Sequence, residues 1–396
     1  MGKTRADLAI EHGTVITPLQ RLNDTTILVA DGRIVDIRPS HQADVPPDAA
    51  VIDAGGKFVV PGFIDIHVNG GGGGDALDGT HEALSAMCRT HARGGTTSLV
   101  PTVITAPMEK ISRAVEVIGE VAASGGDGAE VLGAYVEGPF LSSQQKGAHN
   151  PNHLRIPAET DYSRLLELAE HIRMVALAPE LPGAGAAITA FKQHGVRAAV
   201  AHSQATYDEV MEAVDNGLTH VSHLFSSMSQ MFRKPGDYRK HGGVTEAALL
   251  SDDLSVELVG DGYHVPKSLL RLAVKNKPEG KLCVVTDAMR AAGKEPGTYI
   301  LGDLEIIVED GIALLPDRSV FAGSVCTMDT CLKTLTELGG MSLEAALRAA
   351  TMDPARIIGV DDRKGSLHVG KDADIVILDQ KLRVTQTLIR GKPFQD

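Results

Sequence analysis

The sequence predicts an α/β protein, a (β/α)8 TIM barrel with a small β-sandwich domain formed from both termini. Two observations support this fold. In the middle of the chain, eight short apolar runs alternate with helical stretches, which is typical of βα units and a parallel sheet. At both ends, short β-rich runs are separated by turn residues. A length of 396 residues accommodates one barrel of ordinary size with an appended domain.

The two ends of the chain are expected to build one small β domain from residues 1–60 and 361–396. Its clearest element is a hairpin, because the dipeptide Asp31–Gly32 lies between the runs TTILVA and RIVDI. Neither set of terminal strands is large enough to be stable alone, so we expect the two sets to pair. The remaining residues, 61–360, then form the barrel domain.

Eight candidate strands follow in the central region. Helical stretches such as MEKISRAVEVIGEVAA and ATYDEVMEAVDNG separate them. An open, doubly wound sheet is the alternative architecture, and the number of strands favours a closed barrel. The candidate strands are FVVPGFIDIHV, TSLVPTVI, VLGAYVEG, MVALAPE, RAAVAHS, HVSHLF, SVELVGD and LCVVTDA.

Side chains with catalytic or metal-binding chemistry lie at the ends of these strands, although they are spread over about 220 positions. In a barrel of this type, the loops at the carboxyl ends of the strands build the active site. We therefore expect these side chains to meet at one mouth, which is the layout of an enzyme. They are His67, Glu137, His202, His223, Asp261 with the nearby His264, and Asp287.

Glu137, His202 and His223 are the predicted ligands of one divalent metal ion. Three protein ligands leave one coordination position open for water, and the ion would lower the pKa of that water toward ~7. Two imidazoles and one carboxylate favour zinc, while iron, manganese or cobalt would bind similarly. Asp287 closes the strand LCVVTDA and is the predicted general acid and base.

His67 is a candidate ligand of a second metal ion or a hydrogen-bonding neighbour of the first. Side chains two residues apart share one face of a strand, so a two-metal site usually carries a second histidine at that spacing. Here the triplet is His67-Val68-Asn69, and an asparagine is a poor ligand for zinc-like ions. One metal ion is therefore expected.

Charge and cysteine content restrict the partners. The formal net charge of −13 argues against nucleic acid and anionic membranes as partners, because phosphate contacts need clustered lysine and arginine. No apolar run approaches the ~18 residues of a membrane-spanning helix. The four cysteines form no CxxC pair, which favours a reduced, cytoplasmic protein.

Several motifs resemble those of the N-acetylglucosamine-6-phosphate deacetylases, a group within the amidohydrolase superfamily. The resemblance extends from near the N-terminus to near residue 390. The block EGPFL with KGAHNP is specific to that group, whereas PGFID-x-H and GKDADIVIL mark only the superfamily. In chain order, the motifs are PGFIDIHVNG, VEGPFLSSQQKGAHNP, AHSQATYDE, SHLFSSM with RKPG, DGYHV, VTDA and AGSVCTM.

The resemblance implies a TIM barrel with a small β domain, a homodimer, and the metal and catalytic residues named above. It implies that His149 polarises the acetyl carbonyl and that His264 contacts the sugar hydroxyls. Arg233 would bind the sugar phosphate across a dimer interface. The full set of implied substrate-binding residues is Ala148, His149, Ser226, Ser227, Arg233, Asp261, His264, Phe321, Ala322 and Gly323.

The implied reaction is hydrolysis of N-acetylglucosamine 6-phosphate to glucosamine 6-phosphate and acetate. The sequence departs from the family pattern mainly on the substrate side, with Ser226-Ser227 in place of Asn-Ala and Tyr135 in place of a histidine. N-acetylgalactosamine 6-phosphate is therefore an alternative substrate.

Two other functions stay open from the sequence. A cyclic amidase is one, although Asn69 counts against it because such sites need a histidine there. A catalytically silent sugar-phosphate sensor is the other, although the chain carries all four catalytic-type residues.

Overall fold

The computed structural model describes residues 5–18 and 20–395. The strands of the described chain are β1 (Leu8–Ile16), β2 (Arg21–Ala30), β3 (Arg33–Pro39), β4 (Ala50–Asp53), β5 (Phe58–Pro61), β6 (Phe63–Val68), β7 (Gly70–Gly71), β8 (Gly74–Asp75), β9 (Thr96–Ile104), β10 (Glu130–Val131), β11 (Ala134–Glu137), β12 (Ile172–Leu177), β13 (Arg197–Val200), β14 (Leu218–Val221), β15 (Ser255–Val259), β16 (Leu282–Val285), β17 (Gly297–Leu301), β18 (Leu304–Glu309), β19 (Ile312–Leu314), β20 (Ile375–Leu378), β21 (Val384–Ile389) and β22 (Lys392–Pro393).

The α-helices are α1 (His81–Arg93), α2 (Met108–Ser124), α3 (Ser163–Glu167), α4 (Ala184–Gln193), α5 (Tyr207–Asn216), α6 (Val244–Leu250), α7 (Lys267–Asn276), α8 (Met328–Glu337), α9 (Leu343–Ala350) and α10 (Met352–Ile358). Within the described residues, every helix is too short or too polar to cross a membrane.

Strands from both ends of the chain form one sheet, in the order β22-β21-β20-β5-β1-β2-β3, with β4 beside β1. The predicted hairpin connects β2 to β3, and Asp31 and Gly32 have the positive φ angles, 50° and 75°, that its turn needs. The N-terminal and C-terminal strands meet where β5 pairs antiparallel with β20. This pairing confirms that one small β domain draws on both termini.

The central sheet is parallel and follows the order β6-β9-β11-β12-β13-β14-β15-β16, and the short β10 also pairs with β9. Closure between its first and last strands comes from a parallel bridge between Val68 and Ala288. The Asp287 N–H also donates to the His67 carbonyl at 2.9 Å. Each predicted strand contains one strand of the closed barrel, so the predicted TIM barrel is confirmed over the open-sheet alternative.

The predicted strand FVVPGFIDIHV is divided between the two domains. Its first half is β5 in the terminal sheet, and its second half is β6 in the barrel, with Gly62 between them. A Cβ at Gly62 would lie 2.1 Å from Thr97 Oγ1, so only glycine fits where the chain passes from one sheet to the other. The predicted domain boundaries, near residues 60 and 361, stay predictions.

The helices between barrel strands begin and end where local sequence favours it. Helix α5 starts with a capping box, in which Thr206 accepts the Glu209 N–H and Glu209 accepts the Thr206 N–H. It ends at Gly217, whose φ is 117°. Helix α2 covers the predicted stretch and ends before Gly125. Because α5 connects β13 to β14 and these strands are parallel, the loops that follow the two strands lie at the same end of the barrel.

A three-stranded antiparallel sheet, β17-β18-β19, follows the last barrel strand and was not predicted. It lies over the carboxyl end of the barrel. Its turn residue Asp303 accepts a hydrogen bond from Asn150 Nδ2 at 2.6 Å and lies 3.1 Å from His153 Nε2. This mouth sheet therefore connects the loop after β16 with the loop after β11.

Candidate active site

A cavity of about 340 Å³ opens at the carboxyl ends of the barrel strands. Most of the predicted site residues line it. Four do not: His67 lies just beneath it, Asp261 supports His264, Ala322 is buried in the loop, and Arg233 is exposed. The predicted residues that line the cavity are Glu137, Ala148, His149, His202, His223, Ser226, Ser227, His264, Asp287, Phe321 and Gly323.

Glu137 occupies the centre of the site. It is the last residue of β11, and its Oε1 lies 2.9 Å from His223 Nε2 and 3.3 Å from His202 Nε2. Burial would raise the pKa of Glu137, but the adjacent His67, His202 and His223 hold it well below its usual value. The structure therefore brings all three predicted metal ligands together, with the carboxylate ionised.

His149 lies closer to the predicted metal ligands than its predicted role requires. Its Nε2 is 3.7 Å from Glu137 Oε2, and its ring packs edge-on against His202 at 4.4 Å. In the described chain, ligand atoms of Glu137, His149 and His202 lie within 4.8 Å of one another, a spacing that suits a metal ion. Burial and the neighbouring His202 lower the pKa of His149 to about 3, so its imidazole is neutral at pH 7.

Asp287 faces the same centre from the last barrel strand. Its Oδ1 accepts a 2.7 Å hydrogen bond from Asn69 Nδ2 and lies 3.5 Å from His67 Nε2. Asn69 therefore orients the carboxylate, in place of the second histidine of a two-metal pattern.

The loops that carry these side chains have unusual backbone conformations. His202, His223, Phe225, Ser227 and Asp287 have positive φ angles of 46°, 27°, 78°, 48° and 48°. Such angles are rare for residues other than glycine and cluster at sites where function fixes the backbone. His202, His223 and Asp287 each lie two positions beyond the end of a barrel strand, so the turn directs their side chains across the mouth of the barrel.

His264 and Phe321 form one wall of the cavity. Asp261 Oδ2 lies 2.7 Å from His264 Nδ1, and Asp261 also accepts the backbone N–H groups of Tyr263 and His264. The rings of His264 and Phe321 lie 4.5 Å apart. Asp261 thus holds His264 in place rather than facing the cavity itself.

Glu257 was missed by the sequence-based prediction. It lies in the middle of β15, is fully buried, and contacts His67, His220 and the backbone of His223. Burial would raise its pKa, but His67 and His220 lower it to about 2. One feature of the sequence could have indicated its role: Glu257 is the single carboxylate inside the apolar run SVELV. A charge buried in such a strand needs hydrogen-bonding or charged partners.

The donor atoms fit a divalent ion. One carboxylate and several imidazole nitrogens converge, which is the ligand set that zinc prefers. Nε2 of His67 is buried 3.6 Å from Glu137 Oε2, and within the described residues it has no hydrogen-bond partner. An unpaired buried nitrogen beside an ionised carboxylate indicates a place for a cation.

Residues 58–394 match the amidohydrolase family. The chain is 35% identical over 372 residues to an N-acetylgalactosamine-6-phosphate deacetylase of Escherichia coli O157:H7, covering 94% of this chain and 95% of that protein. It is 35% identical over 354 residues to an N-acetylglucosamine-6-phosphate deacetylase of Danio rerio, covering 86% and 85%.

A solved structure shows the same similarity in three dimensions. The N-acetylglucosamine-6-phosphate deacetylase from Pasteurella multocida superimposes with a TM-score of 0.90 at 31% identity, covering 98% of this chain and 100% of that one. These matches confirm the resemblance that the motifs indicated. With its closed barrel and its converging carboxylates and histidines, the chain belongs to the amidohydrolase family.

Proposed function

We propose that this protein is a metal-dependent deacetylase of an N-acetylated amino-sugar 6-phosphate. The reaction converts N-acetylglucosamine 6-phosphate and water to glucosamine 6-phosphate and acetate. The observation that carries the proposal is the convergence of Glu137, His202, His223 and Asp287 on one cavity. The relatives that match most of the chain are named as deacetylases of two such sugars.

Glu137, His202 and His223 would hold one divalent ion per chain, and their ligand types favour zinc. When bound, the ion lowers the pKa of a water molecule and polarises an amide carbonyl. The backbone carbonyl of Gln145 lies 2.8 Å from His202 Nδ1, so this ring would donate its Nδ1 proton there and offer the lone pair of Nε2 to the ion.

Asp287 moves the proton. Its carboxylate accepts a proton from the attacking water and returns it to the amide nitrogen as the C–N bond breaks. Asn69 donates to Oδ1 at 2.7 Å, which fixes the carboxylate and leaves Oδ2 for the proton. The products are acetate and a free amine, and the carboxylate returns to its initial state.

His149 is the group that would bind the acetyl carbonyl. Because its low pKa keeps it neutral, it has an N–H group for the developing oxyanion and adds no positive charge beside the metal ligands. Ala148, Phe321 and Gly323 line the cavity next to it and would contact the substrate.

The sugar and its phosphate would occupy the outer part of the cavity. His264 would contact the sugar hydroxyls, and Ser226 and Ser227 would contact the phosphate. Arg233 is exposed and does not line the cavity of its own chain, which fits a proposed homodimer in which the partner's Arg233 completes the phosphate site.

N-acetylgalactosamine 6-phosphate is the second candidate substrate. The relative from Escherichia coli O157:H7 is named an N-acetylgalactosamine-6-phosphate deacetylase, and the match covers 94% of this chain. Ser226 and Ser227 depart from the Asn-Ala pair of the N-acetylglucosamine-6-phosphate deacetylases at the phosphate-binding position.

The four cysteines form no disulfide within the described chain, which supports a cytoplasmic location.

The test is a substrate panel that measures acetate release from both acetylated sugars, each with and without the 6-phosphate. We expect the phosphorylated sugars to be hydrolysed and the free sugars to react at least ~10-fold more slowly, because phosphate contacts contribute binding energy. Asp287→Asn is the matched inactive control and should reduce turnover by ~10²–10⁴-fold. Near-normal acetate release by that variant, loaded with metal, would remove Asp287 from its role.

A further inference from the structure

Glu257 is a carboxylate buried in the barrel beneath the active site. Its side chain is fully buried, and an isolated charge in such a place would be strongly destabilising. Three groups compensate it. His67 Nδ1 lies 2.8 Å from Oε2, the backbone N–H of His223 donates to the same oxygen at 3.1 Å, and His220 Nε2 lies 2.9 Å from Oε1.

The first of these contacts orients the ring of His67. Because an ionised carboxylate can only accept, Nδ1 of His67 carries the proton in this pair. The other nitrogen, Nε2, therefore faces the site, 3.6 Å from Glu137 Oε2 and 3.5 Å from Asp287 Oδ1. This nitrogen is buried and has no hydrogen-bond partner among the described residues.

The second contact fixes the backbone of a predicted metal ligand. His223 has a φ of 27°, a conformation that surrounding contacts must maintain. Its N–H donates to Glu257, while its Nε2 lies 2.9 Å from Glu137. The third contact holds Glu257 itself, because His220 also contacts Ser255 Oγ at 2.7 Å and cannot turn freely.

We propose that Glu257 is a positioning residue of this active site. One carboxylate holds the His67 ring beside Glu137 and Asp287, and it also holds the backbone of the predicted ligand His223. The inference rests on the proposed deacetylase function, and it adds a residue in the middle of β15 to a site otherwise built from strand ends and loops. Partners of this kind orient the residues at a metal site, and their loss reduces metal affinity or activity by ~10–100-fold.

The experiment is a double-mutant cycle on the full-length, zinc-loaded protein with Glu257→Gln, His67→Ala and the double variant. A glutamine keeps the size of Glu257 but cannot accept from all three neighbours. We expect kcat for acetate release to fall ~10–100-fold in Glu257→Gln, with KM changed less than ~3-fold. The double variant should lose no more kcat than the more severely impaired of the two single variants, because the two residues act as one unit.

A second readout is independent of turnover. Zinc affinity of the metal-free proteins, measured by competition with a chelator, should weaken ~10–100-fold in Glu257→Gln. Glu130→Gln is the matched control, because Glu130 is an ion-paired carboxylate on β10, bound to Lys364 and Arg363 outside the cavity lining. It should lower the unfolding temperature and leave kcat and zinc affinity unchanged.

Two results would overturn the inference: Glu257→Gln retaining both kcat and zinc affinity within twofold, or losses that add in the double variant. If Glu257→Gln does not fold, Glu257→Asp is measured in the same cycle, and its shorter carboxylate should give the same losses. If the wild-type protein releases no acetate, the proposed function fails, while the zinc-affinity measurements still decide the role of Glu257.

Discussion

Two histidines at the active site compete for the third ligand position. His223 Nε2 is 2.9 Å from Glu137 Oε1, and a ligand atom of His149 also lies within 4.8 Å of those of Glu137 and His202. Our assignment predicts that His223→Ala weakens zinc binding at least ~100-fold, because it removes a ligand. His149→Ala should change zinc affinity less than ~5-fold while lowering kcat, because it removes only an oxyanion donor.

Chelator competition on both metal-free variants checks this prediction, with circular dichroism as a control for folding. Stronger zinc loss in His149→Ala than in His223→Ala would exchange the two roles. The strand-end pattern places His223 at the mouth, because it lies two positions beyond β14. His149 lies in the long loop after β11, so only the family resemblance indicates its role.

Asp353 should make the stability of the folded protein depend on pH, and this residue lies outside the active site. Burial raises its pKa to about 7, from 3.8 in an unfolded chain, despite the nearby Arg348. Its Oδ1 is buried and has no hydrogen-bond partner in the described residues, so ionisation is unfavourable in the folded protein. The stability that the protonated form contributes is therefore complete below pH 4 and is lost as pH rises toward 7.

Asp353→Asn removes this dependence. We expect the unfolding temperature of the variant, relative to wild type, to rise between pH 4.5 and pH 7.5. Thermal unfolding followed by circular dichroism at several pH values measures the difference. A difference that stays constant across this range would show that Asp353 does not titrate there.

Among the elements, the mouth sheet β17-β18-β19 is the one that sequence reasoning did not find. Its segment has the alternating pattern of a hairpin, but it follows the eighth barrel strand, where the barrel pattern predicts a helix. The eight barrel strands were predictable because buried parallel strands are short, continuous apolar runs. Their order in space follows from the chain order, since successive βα units place each strand beside the previous one.

The contact of Asp303 with Asn150 and His153 gives the mouth sheet a testable role. Asp303→Ala removes both contacts, and we expect KM to rise ~2–10-fold because the loop with Ala148 and His149 is then held less firmly. Since the reacting groups are untouched, kcat should stay within about twofold. Glu305→Ala, an exposed change on β18, is the control. Steady-state kinetics with equal KM values for the two variants would contradict this role.

At the scale of the whole molecule, a buried ion-pair cluster joins the barrel to the C-terminal part of the small domain. Lys364 is almost fully buried, and its Nζ lies 2.5 Å from Asp374, 2.8 Å from Glu130 and 3.4 Å from Asp372. Lys364→Met leaves the buried Asp374 without a cationic partner, whereas Glu130 and Asp372 keep Arg363. We expect a loss of about 3–5 kcal/mol in the free energy of unfolding, because unpaired buried charge is strongly destabilising.

Denaturant-induced unfolding measures this loss, with Lys381→Met on the exposed surface as the control. If the two variants unfold at the same denaturant concentration, the cluster does not stabilise the join between the domains. The pairing of the two termini was predictable from their unfinished sets of strands. The cluster was not, because Glu130 is far from Lys364 and Asp374 in sequence, and each of the three has the sequence context of a surface charge.

The most direct measurement of the whole account is a zinc titration of the metal-free protein, with acetate release from N-acetylglucosamine 6-phosphate and N-acetylgalactosamine 6-phosphate followed at each step. The account predicts no activity without metal and a linear rise that stops at one ion per chain. Full activity in the metal-free protein, or no acetate from either sugar at any zinc level, would contradict it.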